Sequence, residues 1–198
     1  MYLPLKFKTK LLIASRTCLI TIKLVAIDQV TKWYYIYNLQ EKPNLTIKVN
    51  SFFDIVYVWN YGISFGIFKN YYQYSNFALL AVNSLIVAYL FYIQLKCKSV
   101  LSFVGYSLVI GGAIGNLVDR ILRGAVFDFI YFHYKEFGFP VFNLADSFIS
   151  IGVMFLLYDH YKTKKMIEEN LNTNYDDAAI EAEKIRKLDD NNINFMVK

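Results

Sequence analysis

Charge is scarce in this sequence: Asp, Glu, Lys and Arg make up 19% of 198 residues, against 56% apolar and 18% aromatic residues. With a mean hydropathy of +0.32, that scarcity excludes a disordered chain and an ordinary soluble domain, and nine glycines with three prolines exclude collagen. Cysteine is nearly absent. Cys18 falls inside the first apolar segment and Cys97 between Lys96 and Lys98. Neither has neighbours at metal-ligand spacing, so both read as free thiols and no disulfide framework or metal site is expected. The net charge is +5, but the basic residues flank hydrophobic runs and form no extended patch that tracks phosphates. Nucleic acid is therefore not an expected partner, and no cofactor is implied.

What the chain has instead is long uncharged runs. Tyr71–Leu95 and Ser99–Val118, 25 and 20 residues long, each suffice to cross a hydrocarbon core as a helix. Four spans are predicted, about Leu11–Ile27, Asn76–Leu95, Ser99–Val118 and Phe142–Tyr158, so the fold class is membrane all-α. Lys6, Lys8 and Lys10 before the first span resemble the start of a signal peptide, but no small-residue cleavage site follows before Asp28, so the segment reads as a retained helix. Arg16 and Lys23 interrupt it. Arg16 must snorkel to an interface, and Lys23 must face other helices, a cavity or the opposite interface.

The N-terminus, the Lys96–Lys98 turn and the Lys162–Lys165 stretch hold eight lysines between them, which predicts that both termini and this turn are cytoplasmic. The connections Asp28–Ser75 and Asp119–Val141 then face outward. In the first of these, Asn44–Trp59 is rich in Ile, Val, Phe, Tyr and Thr and predicts short β-strands, held at or above the interface because a sheet edge in lipid leaves backbone groups unpaired. Trp33, Tyr34, Tyr35, Trp59, Tyr71, Tyr72 and Tyr74 suit an interfacial belt. Residues 1–161 form the expected membrane domain. Residues 162–198 form a polar cytoplasmic tail, in which Asp176–Asp190 is either a short charged helix or disordered.

The polar groups gather at the outer boundary. Asp28 ends span one, Asn116, Asp119 and Arg120 end span three, Asn143 and Asp146 open span four, and Asn60 lies in the first outer loop. Gly112, Asn116 and Asp119 share a stripe, as do Asn143, Asp146, Ser147 and Ser150, while Gly111 and Gly115 allow close helix approach. A central charge costs roughly 2.5–3.5 kcal/mol on insertion scales, so the two stripes should face each other or a wet cavity. Plainer roles stand beside this. Asp28 and Lys32 suit an i,i+4 ion pair on a helix surface, Asp119 and Arg120 suit a membrane edge, and Asn143 or Asp146 suits a helix cap. Asp128 lies within the apolar run Phe127–Ile130 of the second outer loop. Two acids so placed, Asp128 and Asp146, suggest a pair sharing one proton, which activates water and protonates a carbonyl in aspartic peptidases.

At these residues the sequence resembles the bacterial lipoprotein signal peptidase (signal peptidase II) family. The matching blocks are Asp28-Gln-Val-Thr-Lys32, Asn60-Tyr-Gly-Ile-Ser-Phe-Gly66, Gly111-Gly-Ala-Ile-Gly-Asn-Leu-Val-Asp-Arg120 with Gly124-Ala-Val-Phe-Asp-Phe-Ile130, and Phe142-Asn-Leu-Ala-Asp146. The resemblance implies a four-helix aspartic endopeptidase of the plasma membrane with a small outer β-sheet that cradles substrate. It would cut prolipoproteins just before a cysteine carrying diacylglycerol. The catalytic pair maps onto Asp128 and Asp146, and supporting roles map onto Asp28, Lys32, Asn60, Gly112, Asn116, Arg120, Asn143 and Ala145. The implied partners are the lipidated prolipoprotein and membrane lipid, with the site toward the outer leaflet. Ile63 stands where the family has a small residue, and Lys23 is unusual within span one. A transporter or channel subunit and a purely structural assembly factor are the competing classes. The first predicts polar residues running through the helices, and the second predicts tolerance of Asp128→Asn and Asp146→Asn.

Overall fold

A computed structural model describes residues 5–41, 46–62 and 72–196. Among them, four helices occupy the places of the four predicted spans: α1 (Leu5–Leu39), α2 (Tyr72–Gln94), α3 (Val100–Arg123) and α4 (Leu144–Met196). Two segments are long and apolar enough to cross a membrane, Asn76–Gln94 of α2 and the whole of α3. The chain divides into two compact units, Met1–Leu156 and Leu157–Lys198. The second unit is helical to Met196, so Asp176–Asp190 belongs to a long helix rather than a short one. No glycine or proline follows Gly152 to interrupt it.

α1 also overruns its expected end. Asp28 lies in mid-helix, and Trp33, Tyr34 and Tyr35 are helical rather than part of a loop. No glycine or proline occurs between Leu5 and Pro43. The hydroxyls of Ser15, Thr17 and Thr31 turn back onto carbonyls three or four residues earlier, which lets polar side chains sit in an apolar helix. Arg16 and Lys23 are both exposed, so Lys23 is not packed among other helices.

α3 is the central helix. Ser99 caps its start by accepting from the N–H groups of Leu101 and Ser102. Gly124 ends it at φ 77°, donating its N–H to the Arg120 carbonyl at 3.2 Å. Gly105 and Gly112 of α3 lie against α4, and Gly111 and Gly115 lie against α1. A Cβ on Gly111 would come within 3.0 Å of Leu24 Cβ, and one on Gly115 within 2.8 Å of Asp28 Oδ2. The predicted small pair therefore lets α1 lie directly on α3. At the other end of α3, buried Gln94 donates to the Phe103 carbonyl at 3.0 Å and to Ser107 Oγ at 2.7 Å, locking the α2–α3 hairpin.

The antiparallel sheet has the order β1 (Thr46–Asn50), β2 (Phe53–Asn60), β3 (Val126–Tyr134) and β4 (Phe137–Gly138). β1 and β2 lie within the predicted stretch. β3 and β4 correct it, because the second connection supplies half of the sheet and Phe127–Ile130 is a strand. Leu39, Ile55, Phe127 and Phe129 form the buried core between the sheet and the far end of α1. Tyr35 packs on Phe129 at 4.8 Å, and Tyr57 and Trp59 pack on Phe127 at 5.0 and 5.3 Å between ring centroids. At about 1.5–3 kcal/mol for each buried large apolar side chain, this cluster is what holds β3 against the helices.

Candidate active site

The site lies where the last turn of α3, the first turn of α4, the middle of α1 and the start of β3 converge. Asn143 caps α4: its Oδ1 accepts the Asp146 N–H at 3.0 Å, and its own N–H donates to Asp146 Oδ2 at 3.2 Å. This is a reciprocal capping box with Asp146 three residues inside the cap. Capping and site membership are thus one arrangement here, because Asn143 Nδ2 also donates to Asp128 Oδ1 at 2.6 Å. A single asparagine touches both carboxylates.

Each acid has a second amide. Asn116 Nδ2 donates to Asp146 Oδ1 at 2.8 Å, and Asn60 Nδ2 donates to Asp128 Oδ2 at 3.0 Å. Asn60 Oδ1 accepts the Gly62 N–H at 2.8 Å, and Gly62 has φ 76°, a conformation that glycine adopts without a Cβ clash. Asp128 is buried and its pKa is raised from 3.8 to about 6. Burial is the main cause, reinforced by the Asp146 charge and opposed by the Asn60 and Asn143 hydrogen bonds.

Behind the dyad lies a second carboxylate pair. Lys32, 0% exposed, bridges Asp28 and Asp119 at 2.8 Å each and donates to Asn116 Oδ1 at 3.1 Å. The predicted Asp28–Lys32 surface pair is therefore a buried ion cluster, and Asp119 is buried within it. Gln29 Nε2 reaches Asp28, Asp119 and the Gly115 carbonyl at 3.0–3.1 Å. Arg123 closes the cluster by pairing with Asp119 and donating to Gln29 Oε1 at 3.0 Å.

Each of these outer carboxylates also holds a backbone N–H next to a dyad acid. Asp119 Oδ2 accepts from Phe127, just before Asp128, at 3.2 Å, and Asp28 Oδ1 accepts from Ala145, just before Asp146, at 3.0 Å. Ala145 is fully buried, and a Cβ on Gly112 would collide with its carbonyl oxygen, so that position admits only hydrogen. Arg120 is buried near Asp128, Asp119 and Asp146. Its Nε and Nη1 find no hydrogen-bond partner among the described residues.

All ten residues singled out from the sequence thus fall in one region. Gln29, Asp119 and Arg123 belong with them and were not given site roles; the Gly111/Gly115 pair signals a close helix approach on this face of α3 but does not name the helix that makes it. Ile63 lies outside the described residues. No group of acidic, histidine or cysteine side chains suited to a metal occurs among the described residues.

Comparison with known proteins places the chain in a family. The family model described as signal peptidase (SPase) II matches residues 20–162. A lipoprotein signal peptidase of Rickettsia africae is 58% identical over 189 residues, covering 94% of each chain. That of Rickettsia bellii is 58% identical over 184 residues, covering 92% of this chain and 94% of its own. Two solved structures of a bacterial membrane enzyme, obtained in meso at 2.3 and 1.9 Å, superpose with a TM-score of 0.63 each. They are 31% and 32% identical, and the alignments cover 76% and 73% of this chain and 90% and 92% of theirs.

Proposed function

The chain belongs to the signal peptidase II family of aspartic peptidases, which removes signal peptides from prolipoproteins, and on that premise we propose that Asp128 and Asp146 are its catalytic dyad. The observation that carries this is Asn143, whose side-chain and backbone N–H groups reach one oxygen of each acid. Neutral amides hold both carboxylates, and no cation lies within hydrogen-bonding reach of either among the described residues. The pair therefore keeps one proton into the range where Asp128 titrates, near 6.

The ionised acid takes a proton from water, whose oxygen attacks the scissile carbonyl, and the protonated acid shares its proton with the developing oxyanion. Collapse breaks the C–N bond. The dyad then returns a proton to the leaving amine, giving a signal peptide carboxylate and a new amino terminus on the cysteine. Arg120, with donors to spare, and Asn60 hold backbone carbonyls of the extended substrate, which must be paired in a low-dielectric site.

In this reading the substrate cysteine carries diacylglycerol, whose acyl chains stay in the outer leaflet of the plasma membrane while the scissile bond reaches the dyad. The chain crosses the membrane four times with both termini cytoplasmic, and residues 162–198 form a cytoplasmic tail. The test is cleavage of a diacylglyceryl-modified prolipoprotein by purified protein, beside an unlipidated substrate and a chelator control. Turnover should require the lipid and both acids and survive chelation. Correctly folded Asp128→Asn or Asp146→Asn protein that still turns over would overturn the dyad.

A further inference from the structure

The β3–β4 hairpin displays more aromatic surface than its core requires. Phe137 is 82% exposed, and Tyr134, Phe139 and Phe132 are also exposed. With Phe52 on the neighbouring β1–β2 turn they line an open groove of about 400 Å³. The rings form a connected row: Phe53 to Phe132 at 5.0 Å, Phe132 to Phe142 at 6.0 Å and Phe142 to Phe139 at 5.7 Å between centroids. Phe142 adjoins Asn143 in sequence, and the row crosses the sheet from β2 over β3 to the segment that follows β4. At the tip, Lys135 adopts φ 53° and carries its ammonium 5.5 Å from the centre of the Tyr134 ring.

The placement of the hairpin limits what can cover these rings. Only Gly124 and Ala125 separate β3 from α3, a helix long and apolar enough to span a membrane, and β4 returns within five residues to the first turn of α4. Its base is therefore tied to helix ends. At a rise of roughly 3.3 Å per residue the strand carries Tyr134 about 25 Å from Val126. Standing upright, the hairpin would hold its rings in water, where an exposed aromatic patch is unfavourable. Lying along the surface, it would set Phe and Tyr rings at the depth where aromatic belts form, with the Lys135 ammonium among lipid phosphates.

We propose that the β3–β4 hairpin is a lipid-docking element, lying on the leaflet that borders the active site with Phe132, Phe137 and Phe139 inserted at the headgroup boundary. The surface extends the membrane reading of the helices but does not depend on the peptidase chemistry.

The test uses the full chain in a Cys18→Ser, Cys97→Ser background, with a nitroxide attached through Phe137→Cys. The protein is reconstituted in phosphatidylethanolamine and phosphatidylglycerol vesicles, and collision of the label with oxygen is compared with collision with a water-soluble nickel chelate. Lys48→Cys, exposed on β1, supplies the aqueous reference, and Leu85→Cys, exposed on α2, supplies the hydrocarbon reference. At position 137 oxygen access should exceed nickel access several-fold, with the opposite order at position 48. Phe139→Cys gives the same reading should the first variant fold poorly. Nickel access at 137 and 139 equal to that at 48, with position 85 protected, overturns the docking alone. Nickel access at position 85 as well overturns the membrane placement of the chain and the hairpin with it.

Discussion

Two pairs of carboxylates lie side by side in this protein, and their different partners give them different roles. Asp28 and Asp119 share the ammonium of Lys32, with Gln29 and Arg123 completing a closed ion cluster. Asp128 and Asp146 share only asparagine amides. An amide orients a carboxylate without neutralising it, so the second pair has no counter-ion within hydrogen-bonding reach while the first is matched by one. The closed pair also serves the open one, since it holds the N–H groups of Phe127 and Ala145, each one residue before a dyad acid.

The largest expected effects separate the pairs by sign. Asp128→Asn or Asp146→Asn should reduce turnover by roughly 10²–10⁴-fold, the scale of lost acid–base catalysis. Asp128→Asn should at the same time stabilise the fold. The folded pKa near 6 exceeds the unfolded 3.8, so the native state binds more protons in that window and loses stability as pH rises from about 3.8 to about 6. Above it the ionised acid carries its full penalty, which asparagine removes. Thermal unfolding in detergent at pH 7.5 should therefore show a midpoint at or above that of the parent protein. A clear drop would mean that ionised Asp128 is a net stabiliser.

Lys32→Met should act in the opposite sense. It leaves two buried carboxylates facing each other with only Arg123 to offset them, and breaking a buried ion pair in this way costs about 3–5 kcal/mol. The unfolding midpoint should fall sharply and activity should fall with it, because the Asn116 carbonyl loses the shorter of its two donors and keeps only Asn143 Nδ2 at 3.3 Å. A variant of unchanged stability would show that the cluster is not the scaffold of the dyad.

How far these roles were legible depends on what each residue needs in order to act. Asn143, Asp146 and Asn116 were visible as polar residues at helical spacing beside apolar runs, where charge is costly. Asp128 was visible because an acid interrupts an aromatic run. The strand that carries it was not, since Val126–Tyr134 has no polar alternation and its hairpin partner is two residues long. Thr46–Asn60 was legible because β-branched and aromatic residues together make up most of it. Gln29 and Arg123 were beyond reach: each looks like an ordinary polar residue at the end of an apolar segment, and only the close crossing of α1 over Gly111 and Gly115 buries the cluster they complete. The length of α1 and α4 followed from the absence of glycine and proline, a signal overridden by expecting helices to stop where apolar residues stop.

Asn143→Ala probes the residue that touches both acids of the dyad. Losing the cap costs about 0.5–2 kcal/mol of helix stability, a modest effect beside Lys32→Met. Both acids lose a shared donor, however, so turnover should fall well beyond what that stability loss explains. Measured on protein confirmed folded by its unfolding midpoint, a rate unchanged from the parent would mean that Asn116 and Asn60 suffice to place the dyad.

The smallest expected effect is the most specific. Asn60 donates to Asp128 Oδ2 and favours its ionised form, one of two hydrogen bonds that hold the pKa down against burial. Asn60→Ala removes that donor, so Asp128 should keep its proton to a pH above about 6. Because the pair works with one proton, kcat/KM of the free enzyme declines as pH rises through the titration of that last proton. The alkaline limb should therefore move to higher pH in Asn60→Ala, by less than about one unit. A limb that stays in place, or moves toward acid, would put the shared proton elsewhere than on Asp128 and remove the difference between the two pairs.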